Sequence, residues 1–445
     1  MTDTLIVNGR LASDGWIVEG DLLIRDGRIA RVGGDLSAEP ADEVYDAGGH
    51  LVMPGMIDDQ VHFREPGAPH KADMRTESRA AVAGGTTSFM DMPNTRPLTV
   101  TLEALEDKYR VAAEKVYANH AFYLGATNDN LDVIRSLRPG QACGIKVFMG
   151  ASTGNMLVDD PQALDGIFRD APTLVATHCE DTPTIQRNEQ RFREQYGEDV
   201  PMRFHPEIRS EEACWRSSSL AVDLARRHGT RLHVLHLTTA RELALFEPGS
   251  SPDKRITCEA CVHHLYFDEA DYDEKGSLIK CNPAIKTRAD RDGLRQGLLD
   301  GRVDVIATDH APHTLEEKAG TYFEAPAGLP LVQHALPMAL ELYHAGLAPL
   351  ELIVDKVTHA PARLFGVAER GFLREGYHAD IAVVDLNAHY EVRREDVLYK
   401  CGWSPLEGRW LHSRVLTTFV NGRKVYDRGV FDDSVRGERL RFDRS

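Results

Sequence analysis

Eight short runs of apolar, β-branched residues, separated by helix-like stretches, constrain the fold of this chain more than any other feature. They are Met56 to His62, Thr86 to Met92, His120 to Leu124, Gly144 to Phe148, Thr173 to His178, Arg231 to Leu237, Ile256 to Leu265 and Val303 to Asp309. Most follow one another at the spacing of a strand plus a helix, with one longer gap before the sixth. Segments such as Leu102 to Ala118 and Ser210 to His228 have the helical pattern that fills such gaps. The expectation is an α/β chain whose eight βα units close into a (β/α)8 barrel, the TIM-barrel architecture.

The two ends have a different texture. Leu5-Ile-Val precedes Asn8-Gly9, Leu22-Leu-Ile-Arg runs into Asp26-Gly27, and Ile29-Ala-Arg-Val follows. Alternating apolar residues around Asx-Gly predict hairpins. Near the other end, Ala379 to Asp385 and Thr417 to Tyr426, interrupted by Asn421-Gly422, read the same way. Neither end has enough strands alone. Together they predict a small β-sandwich, formed by residues 1–54 and 371–445 around a barrel of residues 55–370.

Charge and cysteine usage narrow the function. The formal net charge is −17, from 69 acidic and 52 basic residues. Such a surface repels phosphate backbones and anionic lipid, which argues against nucleic-acid and membrane partners. No basic, then apolar, leader opens the sequence, and no apolar run is long enough to span a bilayer. The seven cysteines form no disulfide-like framework, so the cytoplasm is the expected compartment. Cys258 and Cys261, followed by His263 and His264, could suggest a zinc knuckle. No second pair follows at the usual spacing, and buried strand residues are the expected reading.

Where the barrel strands end, polar residues recur: His62, Asn94, Lys146, His178, His236 and Asp309. In a barrel these ends converge on one face, where active sites lie. Three imidazoles (His62, His178, His236) and the Asp309 carboxylate suit Zn²⁺ or a related divalent ion. Lys146 is the odd member, because an ammonium cannot ligate a cation and is costly to bury. Either it pairs with a neighbouring carboxylate, or its neutral amine has captured CO₂ as a carbamate, an anion able to bridge two metals. Arg64, two places beyond His62, offers a planar fork that holds a carboxylate through two hydrogen bonds.

The stretches His62-Phe-Arg-Glu-Pro-Gly67, Asp91-Met-Pro-Asn-Thr95, Gly144-Ile-Lys-Val-Phe-Met149, Thr177-His-Cys-Glu180 and Thr308-Asp-His-Ala-Pro-His313, taken in order, resemble the dihydroorotases of the amidohydrolase superfamily. The likeness covers essentially the whole chain. It implies a barrel with one or two Zn²⁺ and reversible closure of N-carbamoyl-L-aspartate to L-dihydroorotate in pyrimidine biosynthesis. By resemblance Lys146 is the carboxylated bridge, His178 and His236 ligate one metal, and His62 and Asp309 the other. A hydroxide activated by the metal would attack the ring, with Asp309 as general base and then general acid. By resemblance Asn94 and His313 join Arg64 on the substrate carboxylate, while Asn282, Ala327 and Gly328 meet the ring edge. The family also admits a homodimer and contact with aspartate transcarbamoylase.

One position departs from the pattern. Where most amidohydrolases carry His-x-His, this chain has Gln60-Val61-His62. An amide oxygen suits Zn²⁺ less well than imidazole. Strand alternation puts Asp58 and Gln60 on the face of His62 and turns Asp59 away. The metal beside His62 and Asp309 is therefore expected to be weak or absent, and the one beside Lys146, His178 and His236 firm. Two other readings stand next to this one. Hydantoinases and allantoinases share the barrel and ligands, but Arg64 and Asn94 favour a substrate bearing a carboxylate. A non-catalytic scaffold for aspartate transcarbamoylase would explain a lost ligand, but not the retention of Lys146 and Asp309.

Overall fold

The eight runs become parallel strands that close on themselves. A computed structural model describes residues 2–150, 156–249 and 253–443. Five strands precede the barrel: β1 (Thr4–Ser13), β2 (Trp16–Arg25), β3 (Arg28–Val32), β4 (Glu43–Asp46) and β5 (Leu51–Pro54). The barrel strands are β6 (Met56–Val61), β7 (Thr86–Asp91), β8 (Asn119–Phe122), β9 (Leu124–Gly125), β10 (Ile145–Phe148), β11 (Val175–His178), β12 (Leu232–Val234), β13 (Ile256–Cys261) and β14 (Val305–Ala307). They pair in order, β6–β7–β8 and β9 through β14, always in parallel. The ring closes between β14 and β6, where the His62 N–H donates to His310 O (2.7 Å) and Thr308 Oγ1 donates to Asp58 (2.6 Å). This is a (β/α)8 barrel. Its strands are buried almost without interruption, as parallel strands covered on both faces must be.

Helices cover the outside where the pattern predicts them. One spans Leu102–Lys115, three residues short of the predicted end at Ala118. Another spans Glu211–His228, started by Ser210, whose side chain accepts from the Ala213 N–H, and ended by Gly229 at φ 69°. At the strand-start side the short helix Ala360–Phe365 closes the barrel: Phe365 packs edge-on against Tyr123 and His233 and shares an apolar cluster with Ile57, Ala176 and Val305. Among the described residues no helix is long and apolar enough to cross a membrane.

Several local expectations need correction. The third run is divided, β8 and β9 parting at Tyr123. The run from Ile256 to Leu265 is not one strand; it turns into a helix at Val262–Tyr266 after Cys261. Cys258 and Cys261 are both buried in β13, the reading favoured over a zinc knuckle. Asn8-Gly9 is not a hairpin turn but a bulge inside β1, which continues to a turn at Asp14-Gly15. Asn8 takes the left-handed conformation (φ 55°) that Asn tolerates in bulges as well as turns.

The two chain ends do meet. β15 (Ile381–Asp385), β18 (Arg414–Val420), β19 (Arg423–Asp427) and β20 (Val430–Phe431) join β1–β5 in one nine-stranded, mainly antiparallel sheet; β16 (Tyr390–Glu391) and β17 (Trp410–Leu411) pair separately. The junction is β5 against β15, with Val52 opposite Val383. Ile6, Leu22, Ile24, Ile29, Val52, Ile381 and Phe419 form the apolar core of this sheet.

Candidate metal centre and cavity

Every residue proposed from the sequence lines one cavity of about 490 Å³ at the carboxyl ends of the barrel strands: His62, Arg64, Asn94, Lys146, His178, His236, Asn282, Asp309, His313, Ala327 and Gly328, together with Gln60. They do not all sit at strand ends. His178 is the last residue of β11, and His62 follows β6, but Lys146 is the second residue of β10, inside the strand. His236 and Asp309 lie two places beyond β12 and β14. Both have left-handed backbones (φ 40° and 49°), as does Arg64 (φ 61°). Three non-glycine residues held in that region at one site mark a backbone whose surroundings over-determine it.

The imidazoles of His178 and His236 are brought together with a bare nitrogen between them. His178 Nε2 lies 3.0 Å from Glu180 Oε2 and donates to it, which leaves His178 Nδ1 bare, 3.0 Å from His236 Nε2. His236 Nδ1 is buried with no hydrogen-bond partner, so one nitrogen of that ring is unsatisfied whichever carries the hydrogen. Burial holds His236 far below the usual imidazole range, with His178 and Lys146 adding to the effect. Burial also lowers His178, so both rings are neutral at ordinary pH, the state able to ligate a metal. Across the cavity His62 Nδ1 donates to Asn94 Oδ1 (2.8 Å), and its Nε2 stands 3.1 Å from Asp309 Oδ1. A bare nitrogen against a carboxylate oxygen is stable only with a cation, a proton or a metal, between them.

Lys146 lies between these groups. It is 1% exposed, and among the described residues it has no ion-pair partner. Its ammonium is 4.7 Å from the centre of the Phe148 ring, and burial pulls its pKa down to about 8, against the opposing pull of Asp309 and Glu259. That lowering leaves a minority of the amine neutral near pH 7, and the neutral amine is the form that can take up CO₂. The alternative of a lysine paired with a carboxylate is not what the geometry provides. Two neutral imidazoles, an unsatisfied ring nitrogen, a carboxylate and a deprotonatable amine fit a divalent metal site.

Sequence reasoning overlooked the support beneath these groups. Glu180 holds His178 and pairs with Arg209; burial pushes its pKa up, but Arg209 and His178 prevail and hold it at about 2. Glu259 Oε1 accepts from the His236 N–H (3.0 Å), and its Oε2 lies 3.2 Å from His233 Nε2. Asp59 Oδ2 is 3.4 Å from the same His233 nitrogen. Alternation fails for both acids before Gln60: Asp59, expected on the opposite face, points into the barrel interior toward β12, and Asp58 does not share the face of His62. A register shift in β6 between Asp58 and Val61 turns it toward β14, where it accepts from Thr308. The cue for Glu180 was its place one strand repeat beyond His178. For Asp59 and Glu259, far apart in sequence, there was none.

The other wall is cationic. Arg64 Nε donates to Pro312 O (3.1 Å), and Arg64 Nη2 is 3.0 Å from His313 Nε2. Burial, with Arg64, Lys71 and Lys318, keeps His313 neutral. Lys318, fully buried and lowered by burial to about 7, donates to Pro326 O and Gly328 O and holds the segment that carries Ala327 and Gly328. Gly328 has φ 142°, and a Cβ there would lie 2.4 Å from Ala311 O, so only glycine fits. Asn282 Oδ1 is buried and unpartnered, an acceptor available to a ligand.

Known proteins with the same features were identified by sequence and by structure. The sequence profile of the Amidohydrolase family matches residues 51–425. The dihydroorotase of Halobacterium salinarum is 34% identical over 92% of this chain and 96% of its own, and that of Bacillus cytotoxicus 33% identical over 95% and 98%. Among solved structures, the L-hydantoinase (dihydropyrimidinase) of Arthrobacter aurescens superposes with a TM-score of 0.93 at 27% identity, covering 99% of this chain and all of the other. The dihydropyrimidinase of Brevibacillus agri gives 0.89 at 23% identity over the full length of both, a likeness of fold.

Proposed function

The chain belongs to the amidohydrolase family, a family of metal-dependent hydrolases, and from that premise we propose that it is a dihydroorotase. It interconverts N-carbamoyl-L-aspartate and L-dihydroorotate. The observation that carries this reading is the pairing of a ring of metal-capable residues with a half-buried Arg64 fork beside His313 in one cavity. A cyclic amide alone needs only the first. A ring that carries a carboxylate needs both.

His178 and His236, with Lys146 as a carbamate, would hold one Zn²⁺, and His62 and Asp309 would flank a second position. The metal, when bound, supplies an acidified water and polarises the scissile carbonyl. The protein's own residues do the rest. Asp309 stands where it can accept a proton and return it to the departing ring nitrogen. Arg64, Asn94 and His313 orient the substrate carboxylate; Asn282 and the Ala327-Gly328 backbone face the ring. Gln60 supports the reading that the second position is the weaker, because its amide nitrogen, rather than its oxygen, points at Asp309 (3.1 Å).

The structural likeness to hydantoinases gives a second reading, hydrolysis of an uncharged cyclic ureide. Arg64 disfavours it, since an uncharged ring would give its half-buried guanidinium no carboxylate to pair with in the cavity. Retention of Lys146 and Asp309, with Gln60 the one departure, favours an enzyme over a scaffold for aspartate transcarbamoylase. Seven cysteines, none of them in a disulfide, suit a reducing compartment such as the cytoplasm. The deciding experiment compares hydrolysis of dihydroorotate, hydantoin and dihydrouracil by enzyme supplied with zinc and bicarbonate. Turnover of dihydroorotate above the other two supports the proposal; preference for an uncharged ring overturns it.

A further inference from the structure

Lys71 has no part in the chemistry described so far, yet it lines the same cavity. Its Nζ is 3.0 Å from His313 Nδ1 and 2.8 Å from Glu317 Oε1. An ammonium can only donate, so His313 Nδ1 must accept. The competing acceptor for an Nδ1 hydrogen, Glu317 Oε2, is 3.6 Å away and already accepts from the Thr314 N–H (3.0 Å). A neutral His313 whose Nδ1 is bare carries its hydrogen on Nε2. That hydrogen meets Ala327 O at 3.1 Å, while Arg64 Nη2, also a donor, stands 3.0 Å from the same nitrogen. With that hydrogen taken by Ala327 O, His313 has no lone pair for Arg64 Nη2, whose donor is left for an anion.

We propose that Lys71 is a positioning residue for substrate selection: by donating to His313 Nδ1 it fixes the tautomer whose Nε2–H goes to Ala327 O, so that His313 offers Arg64 no lone pair and the guanidinium keeps its donors for the substrate carboxylate. The identity of that substrate rests on the dihydroorotase reading above. Without the ammonium, the hydrogen can move to Nδ1, toward Glu317. Nε2 then offers a lone pair to Arg64, and the two side chains satisfy each other instead of the substrate. The role of Lys71 is therefore to keep the anion site from closing on itself.

The test uses the full-length, zinc-loaded enzyme and the variants Lys71→Met and Lys71→Arg. For Lys71→Met we expect KM for dihydroorotate to rise about tenfold with kcat within roughly threefold. Lys71→Arg, which retains a donor, should recover most of the loss. Nitrogen-15 spectra of histidine-labelled protein, with His313→Gln identifying the signal, should show the Nε2–H tautomer in the wild type and in Lys71→Arg. Lys71→Met should shift toward Nδ1–H. An Nδ1–H wild type overturns the proposal, as does a Lys71→Met enzyme whose KM is unchanged or whose loss lies in kcat. Should Lys71→Met not fold, the wild-type and Lys71→Arg spectra still decide. A wild type inactive on dihydroorotate would sink the functional reading, while the tautomer would be measured independently.

Discussion

Gln60 presents its amide nitrogen to Asp309 Oδ1 at 3.1 Å, the same carboxylate oxygen that His62 Nε2 approaches at 3.1 Å. The amide thus occupies as a donor the place where an added imidazole would be a ligand. Its oxygen is turned toward Cys261, 3.9 Å away. We expect Gln60→His to tighten metal retention at this position by roughly 10–100-fold, because it adds a ligand and frees Asp309 from a hydrogen bond. Metal analysis after dialysis against graded chelator checks this. Two equivalents held as firmly by the wild type would contradict it.

Lys146 should carry CO₂. Native mass measurement is expected to show one added CO₂ per chain, lost in acid, and activity should fall in CO₂-free buffer and return with bicarbonate. Lys146→Ala should lose bound metal and lower activity by on the order of 10²–10³-fold or more.

Arg64 separates substrate recognition from metal binding. We expect Arg64→Met to reduce kcat/KM for dihydroorotate by roughly 10²-fold, the loss of a charge-assisted pair of hydrogen bonds, with zinc content unchanged. A parallel loss of zinc would instead tie Arg64 to the metal.

The His233 cluster should make stability depend on pH. Burial pulls the His233 pKa down, but Asp59 and Glu259 outweigh it and raise it from 6.5 to about 9; burial and Asp59 push Glu259 upward as well. Both groups bind protons more tightly folded than unfolded. For Glu259 the contribution is fully present only below the unfolded carboxyl value of 4.5; for His233 it is fully present below the unfolded value of 6.5 and is lost as pH rises through about 9. It amounts to about 3 kcal/mol for His233. Urea midpoints between pH 6 and 10 should fall in the wild type and respond much less in His233→Asn.

The barrel and the polar residues that line its cavity were legible because strands and strand-end residues leave a periodic trace, and His62, Lys146, His178, His236 and Asp309 each sit at the end of, or within, such a run. The support beneath them was not. Glu259 and Asp59 reach His236 and His233 only through the closure of the ring, which sequence spacing cannot express. The orientation of Asp58 escaped for a different reason: one extra residue in β6 reverses a face, and alternation gives no sign of it. Asn8-Gly9 misled because the residues that suit a turn also suit a bulge. Lys71 was passed over because a lysine on a loop is ordinarily solvated.

The hydrogen-bonded junction of β5 with β15 has a consequence for biogenesis. β5 is complete at Pro54, but its partner begins at Ile381, more than three hundred residues later. At ribosomal rates that interval is roughly 15–65 s. Throughout it the nascent amino-terminal strands expose an unpaired edge to every neighbouring chain. The barrel must mature beside an incomplete sheet, and truncated products lacking the last seventy residues would carry that edge permanently. Chaperone dependence and aggregation of such products, more than catalytic loss, should be the first phenotype of late nonsense mutations in this chain.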